Sequence, residues 1–316
     1  MVTARTRFIL RIAASLTLLL LLAWKVHWTV IFSVWGHLRL PRFLATSMLA
    51  PVMIGLLACR WRIFLREQSI DLPGRTVLGL TWAGQFFNSV LPGSTGGDVV
   101  KIYQVCRLAP DRKAAAAAAV IVDRFTALIA LVALAGVSLS LGKALPELSW
   151  KSLPGSPRLW LLGGLLLVVV AIAAAAKVLG SPHWMSRLRQ IVSTLRTSFT
   201  LNGSFWLGLL IAFAVHLANV GIFFGFAGAL GIQITYVQAL SFFPIILFLL
   251  LIPVTVNGHG LREMLMLFYF SHLHIALSSS TGAGPMETTL CLSLLGVAND
   301  LVWTLPGGLW YLLAMV

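Results

Sequence analysis

Long apolar runs separated by short basic loops dominate the pattern of this 316-residue chain. A run of about 20 apolar residues is long enough to cross the hydrocarbon core of a bilayer as a helix. The pattern therefore predicts an all-α polytopic integral membrane protein with about six full spans. We expect these spans at residues 8–35, 41–59, 114–142, 158–180, 204–231 and 286–316.

Two other apolar stretches, 76–108 and 237–277, are interrupted by proline and glycine at residues 88–98 and 253–260. Each arm beside a break is near or below the roughly 17–25 residues that a crossing needs. Unpaired backbone groups are tolerated inside a membrane only where protein or water surrounds them. We therefore predict two re-entrant helical hairpins within a single transmembrane domain that covers residues 1–316.

The two breaks have the same internal spacing. The corresponding positions are Pro92 with Pro253, Gly97 with Gly258, and Lys101 with Arg262. Paired broken helices of this kind are expected of an inverted repeat, which carries a transporter's binding site at its centre. With a cytoplasmic N-terminus, the first hairpin enters from the inside and the second from the outside. Their tips are then expected to approach each other near the membrane midplane.

Composition and charge agree with a membrane protein. Hydrophobic residues make up 59% of the chain and charged residues only 10%, whereas a soluble domain carries roughly 25% charged residues. The net charge of +14 would suit nucleic acid, but the basic residues lie in short loops between apolar runs. Most of them lie on the side of the N-terminus, which is the positive-inside pattern and attracts anionic lipid head groups. We expect cytoplasmic N- and C-termini and no nucleic-acid partner.

The first break combines glycine, an acidic helix cap and a lysine. Gly96 and Gly97 permit backbone conformations that other residues resist, and Asp98 is a good N-cap for the helix that follows. Free amides and the positive dipole end at this helix start suit a lipid phosphate. Lys101 shares a helix face with Asp98 and is placed to pair with it or with a phosphate. The alternative is a capped helix with a local ion pair.

The second break carries a different set of polar residues. Its candidates are Asn257, Gly258, His259, Arg262 and Glu263. Arg262 and Glu263 are about 100° apart on a helix, so we expect them not to face each other and each to need another partner. Arginine binds phosphate in a fork geometry, and Glu263 would position that arginine, contact an amine or carry a proton. The alternative is a structural ion pair with Asp300 or Asp123.

Charges also lie within the predicted spans. Asp123 and Arg124 are about 15 Å into theirs, so they must face protein or water. A substrate pathway and helix–helix pairing are both open for them, and for Asp300 in the last span. Arg60 and Arg62 follow the second span, where we expect them to orient the protein and anchor head groups.

The sequence contains none of the common local motifs for ATP binding, metal binding or nucleophilic catalysis. There is no ATP-binding loop of the GxxxxGK[ST] type, no HExxH and no CxxC pair, and no local motif marks a Ser/His/Asp constellation. The three cysteines, Cys59, Cys106 and Cys291, have neither disulfide nor metal-site spacing. We therefore expect no cofactor, no metal and no catalytic residue.

Together these motifs resemble the lysylphosphatidylglycerol synthase transmembrane-region family, also called flippase-like integral membrane proteins. The residues that carry the resemblance are Asn88, Pro92-Gly93, Gly96-Gly97-Asp98, Lys101, Asp123-Arg124, Gly258-His259-Gly260-Leu261-Arg262-Glu263 and Leu305-Pro306-Gly307-Gly308. They extend over nearly the whole chain and are fairly specific in combination. Two departures are Lys101, where the family usually has arginine, and His259, where a smaller residue is common.

The resemblance implies a bacterial inner-membrane protein that moves a lipid between leaflets. In two-domain members, a soluble domain transfers an amino acid to phosphatidylglycerol. This chain ends at Val316 in its last apolar segment, so we expect a stand-alone flippase-like protein without that domain. The resemblance implies aminoacylated phospholipids, polyprenyl-phosphate sugars or hopanoid-related lipids as substrates, and the sequence does not choose among them.

The leading hypothesis is a flippase for an anionic lipid or lipid-linked head group. Lys101, Arg262 and Arg124 would hold the phosphate, while nearby carboxylates orient these cations or take part in coupling. The substrate-binding candidates are Asn88, Gly96, Gly97, Asp98, Lys101, Asp123, Arg124, Asn257, Gly258, His259, Arg262, Glu263 and Asp300. One alternative is a non-catalytic lipid-binding or scaffold subunit. Another is an intramembrane transferase with Asp98 or Glu263 as general base. Besides the lipid, partners compatible with the sequence are a second copy or a lipid-modifying enzyme.

Overall fold

The computed structural model describes residues 35–90, 96–140, 202–251, 260–272, 275 and 284–315. Within these ranges the chain is 88% helix and contains no strand, which confirms the predicted all-α class. The helices are α1 Leu40–Ser47, α2 Leu49–Glu67, α3 Gly74–Val90, α4 Gly96–Leu108, α5 Lys113–Ser140, α6 Gly203–Ala229, α7 Tyr236–Leu249, α8 Leu261–His272 and α9 Pro285–Met315. The predicted spans at 8–35 and 158–180 fall almost wholly outside the described residues.

Four helical segments are long and apolar enough to cross a membrane: Leu40–Glu67, Pro110–Ser140, Gly203–Ala229 and Pro285–Ala314. They coincide with the four predicted spans that lie in the described residues, so an integral membrane protein is confirmed. The first is longer than predicted. Helix α2 continues to Glu67 rather than ending near residue 59, because arginine and tryptophan side chains are compatible with a helix that packs against protein.

Helices α3 and α4 form the arms of the predicted first hairpin. They are 17 and 13 residues long and pack antiparallel, with Gly84 of α3 directly against Gly97 of α4. Val77, near the start of α3, and Val105, near the end of α4, share an apolar cluster with Trp61 of α2. Both open ends of this hairpin therefore lie beside the C-terminal half of α2.

Helices α7 and α8 form the arms of the second hairpin. Phe242 of α7 stacks on Tyr269 of α8 with ring centroids 5.1 Å apart, so these two helices pack against each other. A capping box between Thr235 and Gln238 starts α7, six residues after α6 ends at Ala229.

The two hairpins begin at opposite ends of the bundle. Helix α6 begins beside α2, where Asn202 donates to Glu67 Oε1 at 2.6 Å, and this is the end at which the first hairpin opens. The second hairpin begins after the far end of α6. The predicted hairpin tips, 91–95 and 252–259, lie outside the described residues. Whether each hairpin returns to its own side of a membrane therefore stays a prediction.

The last helix, α9, runs without interruption through Pro306 and packs closely on α3. A side chain at Gly307 would overlap the backbone of Trp82 and Ala83. The indole of Trp82 also donates to the carbonyl of Trp303. The closing Pro-Gly-Gly sequence is therefore a close helix contact, in which the absence of a side chain lets two backbones approach.

Candidate functional site

Five charged side chains from three helices meet in what we call the charged cluster: Arg60 of α2, Asp98 and Lys101 of α4, and Asp123 and Arg124 of α5. Two ion pairs, Arg60–Asp123 and Arg124–Asp98, link the three helices, and the Lys101 ammonium lies over the ring of Trp61, the residue after Arg60. Three cations and two carboxylates leave the cluster with a formal charge of +1. Of the predicted candidates, the structure thus brings together Asp98, Lys101, Asp123 and Arg124, and it adds Arg60.

Arg60 and Asp123 form a closed ion pair. Arg60 Nε lies 2.7 Å from Asp123 Oδ1, and Nη2 lies 3.1 Å from Oδ2. Only 3% and 9% of the two side chains are exposed. The prediction that Arg60 anchors head groups is therefore wrong. Because α2 continues past residue 59, Arg60 faces its neighbouring helix instead of the membrane surface.

Arg124 pairs with Asp98 in a more open arrangement. Arg124 Nε lies 2.6 Å from Asp98 Oδ2, with 49% of the arginine side chain and 13% of the aspartate side chain exposed. The predicted pair of Asp98 with Lys101 is not the one the structure contains. The partner comes from α5, and its long side chain reaches the start of α4, while Lys101 turns towards the interior.

Lys101 is the cation of the cluster that has no carboxylate within ion-pair distance among the described residues. Its side chain is buried, and Nζ lies 4.8 Å from the centre of the Trp61 ring, over its face. The stem packs against Gly84, where a side chain would collide with it. An aromatic face stabilises an ammonium group but does not neutralise it, so this charge is available to an anion.

The start of α4 is less open to an anion than the sequence suggested. The Gly97 N–H donates to Asn88 Oδ1 at 2.8 Å, so this amide is not free. Asn88 and Gly97 join the end of α3 to the start of α4, and Gly96 opens the helix at this joint. These three candidates therefore support the hairpin, and the charged side chains are the groups that remain for a ligand.

The second break contributes a separate group, formed by Arg262, Glu263 and Ser293. Glu263 Oε2 accepts from the Gly260 N–H at 2.6 Å and caps the start of α8. Arg262 Nη2 donates to Ser293 Oγ at 2.6 Å, and the Ser293 hydroxyl donates to Glu263 Oε1. Arg262 Nη2 and Glu263 Oε1 lie 3.4 Å apart. The expectation that these neighbours do not face each other is wrong, because both long side chains converge on Ser293.

Asp300 lies two turns after Ser293 on the same face of α9 and is exposed. The ion pair of Arg262 is with Glu263, and Asp123 pairs with Arg60. The alternative considered for this break, a structural ion pair with Asp300 or Asp123, is therefore not formed among the described residues. The candidates Asn257, Gly258 and His259 lie outside the described residues.

The helices and the buried charges together define an integral membrane protein with a polar interior. The chain belongs to the family described as the lysylphosphatidylglycerol synthase TM region, whose sequence model matches residues 8–284. No curated protein and no solved structure matches the chain. Membership confirms the predicted family and indicates a function related to membrane lipids. Helix α9 lies beyond the matched residues.

Proposed function

We propose that this protein is a flippase that carries the head group of an anionic lipid between membrane leaflets. The observation that carries the proposal is the net positive charged cluster, in which Lys101 is buried with no carboxylate partner among the described residues and Arg124 is half exposed. Lysine and arginine are the usual protein partners of phosphate. One monoanionic phosphate would bring the cluster to neutrality.

Energetics favours a binding role over a purely structural one. Ionisable side chains inside a membrane are costly, and structural ones are paired with each other. Arg60 and Asp123 satisfy that rule, whereas Lys101 has no such partner among the described residues. An excess cation is stable in such a place if the functional state includes an anion, which is what a lipid phosphate supplies.

The group formed by Arg262, Glu263 and Ser293 supports a path for the lipid head group rather than a single binding site. Gln104, one turn from Lys101, donates to the Tyr311 hydroxyl at 2.9 Å near the end of α9. Ser293, the partner of Arg262, lies about five turns earlier in that helix, which corresponds to roughly 27 Å. The two charged groups therefore lie at different heights in the bundle. A head group that crosses a membrane needs polar groups at more than one depth.

In this proposal the protein is not an enzyme. A transferase would need a carboxylate free to act as general base. Asp98 is held by Arg124, and Glu263 is held by Gly260, Arg262 and Ser293.

We further propose the bacterial inner membrane as the location of the protein, with cytoplasmic termini. This orientation follows from the excess of basic residues in the loops on one side.

Replacing Lys101 or Arg124 with alanine should reduce lipid transport about tenfold, since each change removes a charge-assisted contact to phosphate. Transport would be measured in proteoliposomes with fluorescent phosphatidylglycerol, and co-purified lipid by native mass spectrometry. Arg66→Ala is the matched control, because Arg66 forms an exposed pair with Asp71 outside the cluster. Circular dichroism and gel filtration would establish that each variant is folded. Full transport by both cluster variants would contradict the proposal, and bound lipid without transport would favour the scaffold alternative.

A further inference from the structure

The two ion pairs of the charged cluster differ in their exposure and in the number of contacts that hold them. Arg60 donates hydrogen bonds to Asp123 from two nitrogens, and both side chains are at least nine-tenths buried. Arg124 contacts Asp98 through Nε alone among the described contacts, and half of its side chain is exposed. The first pair is closed to a ligand, whereas the second leaves most of a guanidinium group accessible.

We infer that Asp98 is a placeholder for the lipid phosphate, which displaces it from Arg124 during each transport cycle. This inference rests on the proposed function and assigns the order of events at the same site. Without substrate, the Asp98 carboxylate occupies Arg124 and limits the excess positive charge. When a phosphate arrives, it takes over the guanidinium of Arg124, and the ammonium of Lys101 provides a second contact.

The geometry fits an exchange of anions. A guanidinium group presents five N–H donors in a planar fork that binds phosphate through two of them. In Arg124 the contact with Asp98 uses the Nε donor, so an incoming phosphate can first contact the Nη groups and then displace the carboxylate from Nε to complete a two-donor contact. Lys101 follows Asp98 by three residues on α4, and Asp98 contacts Arg124. A phosphate at Arg124 would therefore enter the field of the unpaired ammonium as well.

Exchange also provides a way to release the substrate. A cluster with no competing anion would hold phosphate strongly in a low-dielectric interior, and transport would stop at the bound state. Asp98 lies at the start of α4, beside Arg124 of α5, and it stays there after the phosphate has bound. Its carboxylate therefore repels the bound phosphate and competes with it for the arginine. Binding is weakened and release is accelerated. Neutralising Asp98 should therefore strengthen binding while slowing transport.

The test compares lipid binding and transport in wild type, Asp98→Asn and Asp98→Glu. Short-chain phosphatidic acid and phosphatidylglycerol are titrated into detergent-solubilised protein, with inorganic phosphate as a separate arm. We expect Asp98→Asn to bind the lipids about three- to fivefold more tightly, the range for loss of a half-exposed ion-pair partner, and to transport them more slowly. Asp98→Glu keeps the charge and should resemble wild type. Asp71→Asn, which opens the exposed Arg66–Asp71 pair, is the control and should change neither quantity.

The outcomes separate this inference from the function on which it rests. If Asp98→Asn binds lipid no more tightly than wild type while Lys101→Ala still loses binding, the cluster is the site but Asp98 is not a placeholder. Tighter binding by Asp98→Glu would equally overturn the inference, because charge would not be the cause. If wild type and all variants bind none of the probes, the proposed function fails and the inference with it. Equal competition by inorganic phosphate would identify a phosphate site that does not require a lipid.

Discussion

Arg60→Ala should destabilise the folded protein by about 3–5 kcal/mol, the usual cost of removing one partner from a buried ion pair. The change leaves the Asp123 carboxylate buried without its two contacts at 2.7 and 3.1 Å. Arg124 does not replace them, because it is engaged by Asp98. The fraction of protein that stays in the native, non-aggregated peak on gel filtration after stepwise heating in detergent would measure the effect.

A double variant separates pairing from other causes. Replacing both members, Arg60→Met with Asp123→Leu, removes the two buried charges together, and such replacements are often neutral or stabilising. We therefore expect the double variant to be more stable than either single variant. Arg66→Ala, in an exposed pair, should cost less than about 1 kcal/mol. If the stability losses of the two single variants add up to the loss in the double variant, the two residues do not stabilise the protein as a pair.

The same double variant bears on function. Lys101 and Arg124 are the cations that the proposed mechanism uses, whereas Arg60 and Asp123 hold α2 against α5. A folded double variant should therefore still bind anionic lipid. This would separate the part of the cluster that maintains the helix packing from the part that meets the substrate.

The apolar runs and the proline–glycine breaks together were sufficient to predict most of the helices that the structure describes. Four apolar runs became helices long enough to cross a membrane, and the two stretches with proline–glycine breaks became pairs of shorter helices. This works because the bilayer imposes a length and a composition on each segment, independent of its neighbours. The end of α2 was less predictable. A basic sequence after an apolar run is typical of a loop at the membrane surface, yet Arg60 and Trp61 are buried in a continuing helix.

The partners within the site could not be predicted from spacing. Asp98 and Lys101 are three residues apart, which favours a pair within α4, but the contact with Arg124 of α5 prevails. Ser293 has no charge and lies in an apolar helix, so nothing marks it as the residue that joins Arg262 to Glu263. Gly84 likewise becomes informative only when α4 is seen against it. Such roles depend on which helix faces which, and hydropathy does not specify that.

Among glycine-to-alanine changes in the first hairpin, Gly97→Ala should reduce the stability of the folded protein most. A side chain at this position would overlap the carbonyl group of Gly84 and the side chain of Asn88. Most overpacked sites relax by moving a side chain, at a cost of about 1–3 kcal/mol. Here the obstacle is backbone, so α3 and α4 must separate, and we expect a loss of about 3 kcal/mol or more.

Gly55→Ala in α2 is the matched control, because a methyl group there meets no atom within 4 Å. Alanine favours the helix over glycine by up to about 1 kcal/mol, so this variant should be as stable as wild type or more stable. Heating both variants in detergent and following the helical signal by circular dichroism would compare them. Equal stability of the two variants would contradict the close approach of α3 and α4.

The contact between Gly84 and Gly97 also determines where Lys101 lies. Loss of this contact should therefore impair the charged cluster. Lys101 follows Gly97 by one turn of α4, and its stem rests on Gly84, the residue that an alanine at position 97 would push away. Separation of the two helices would move the ammonium from the Trp61 ring. Any folded Gly97→Ala protein should therefore lose lipid transport in proteoliposomes, while Gly55→Ala keeps it. Normal transport by Gly97→Ala would mean that the position of Lys101 does not depend on this contact.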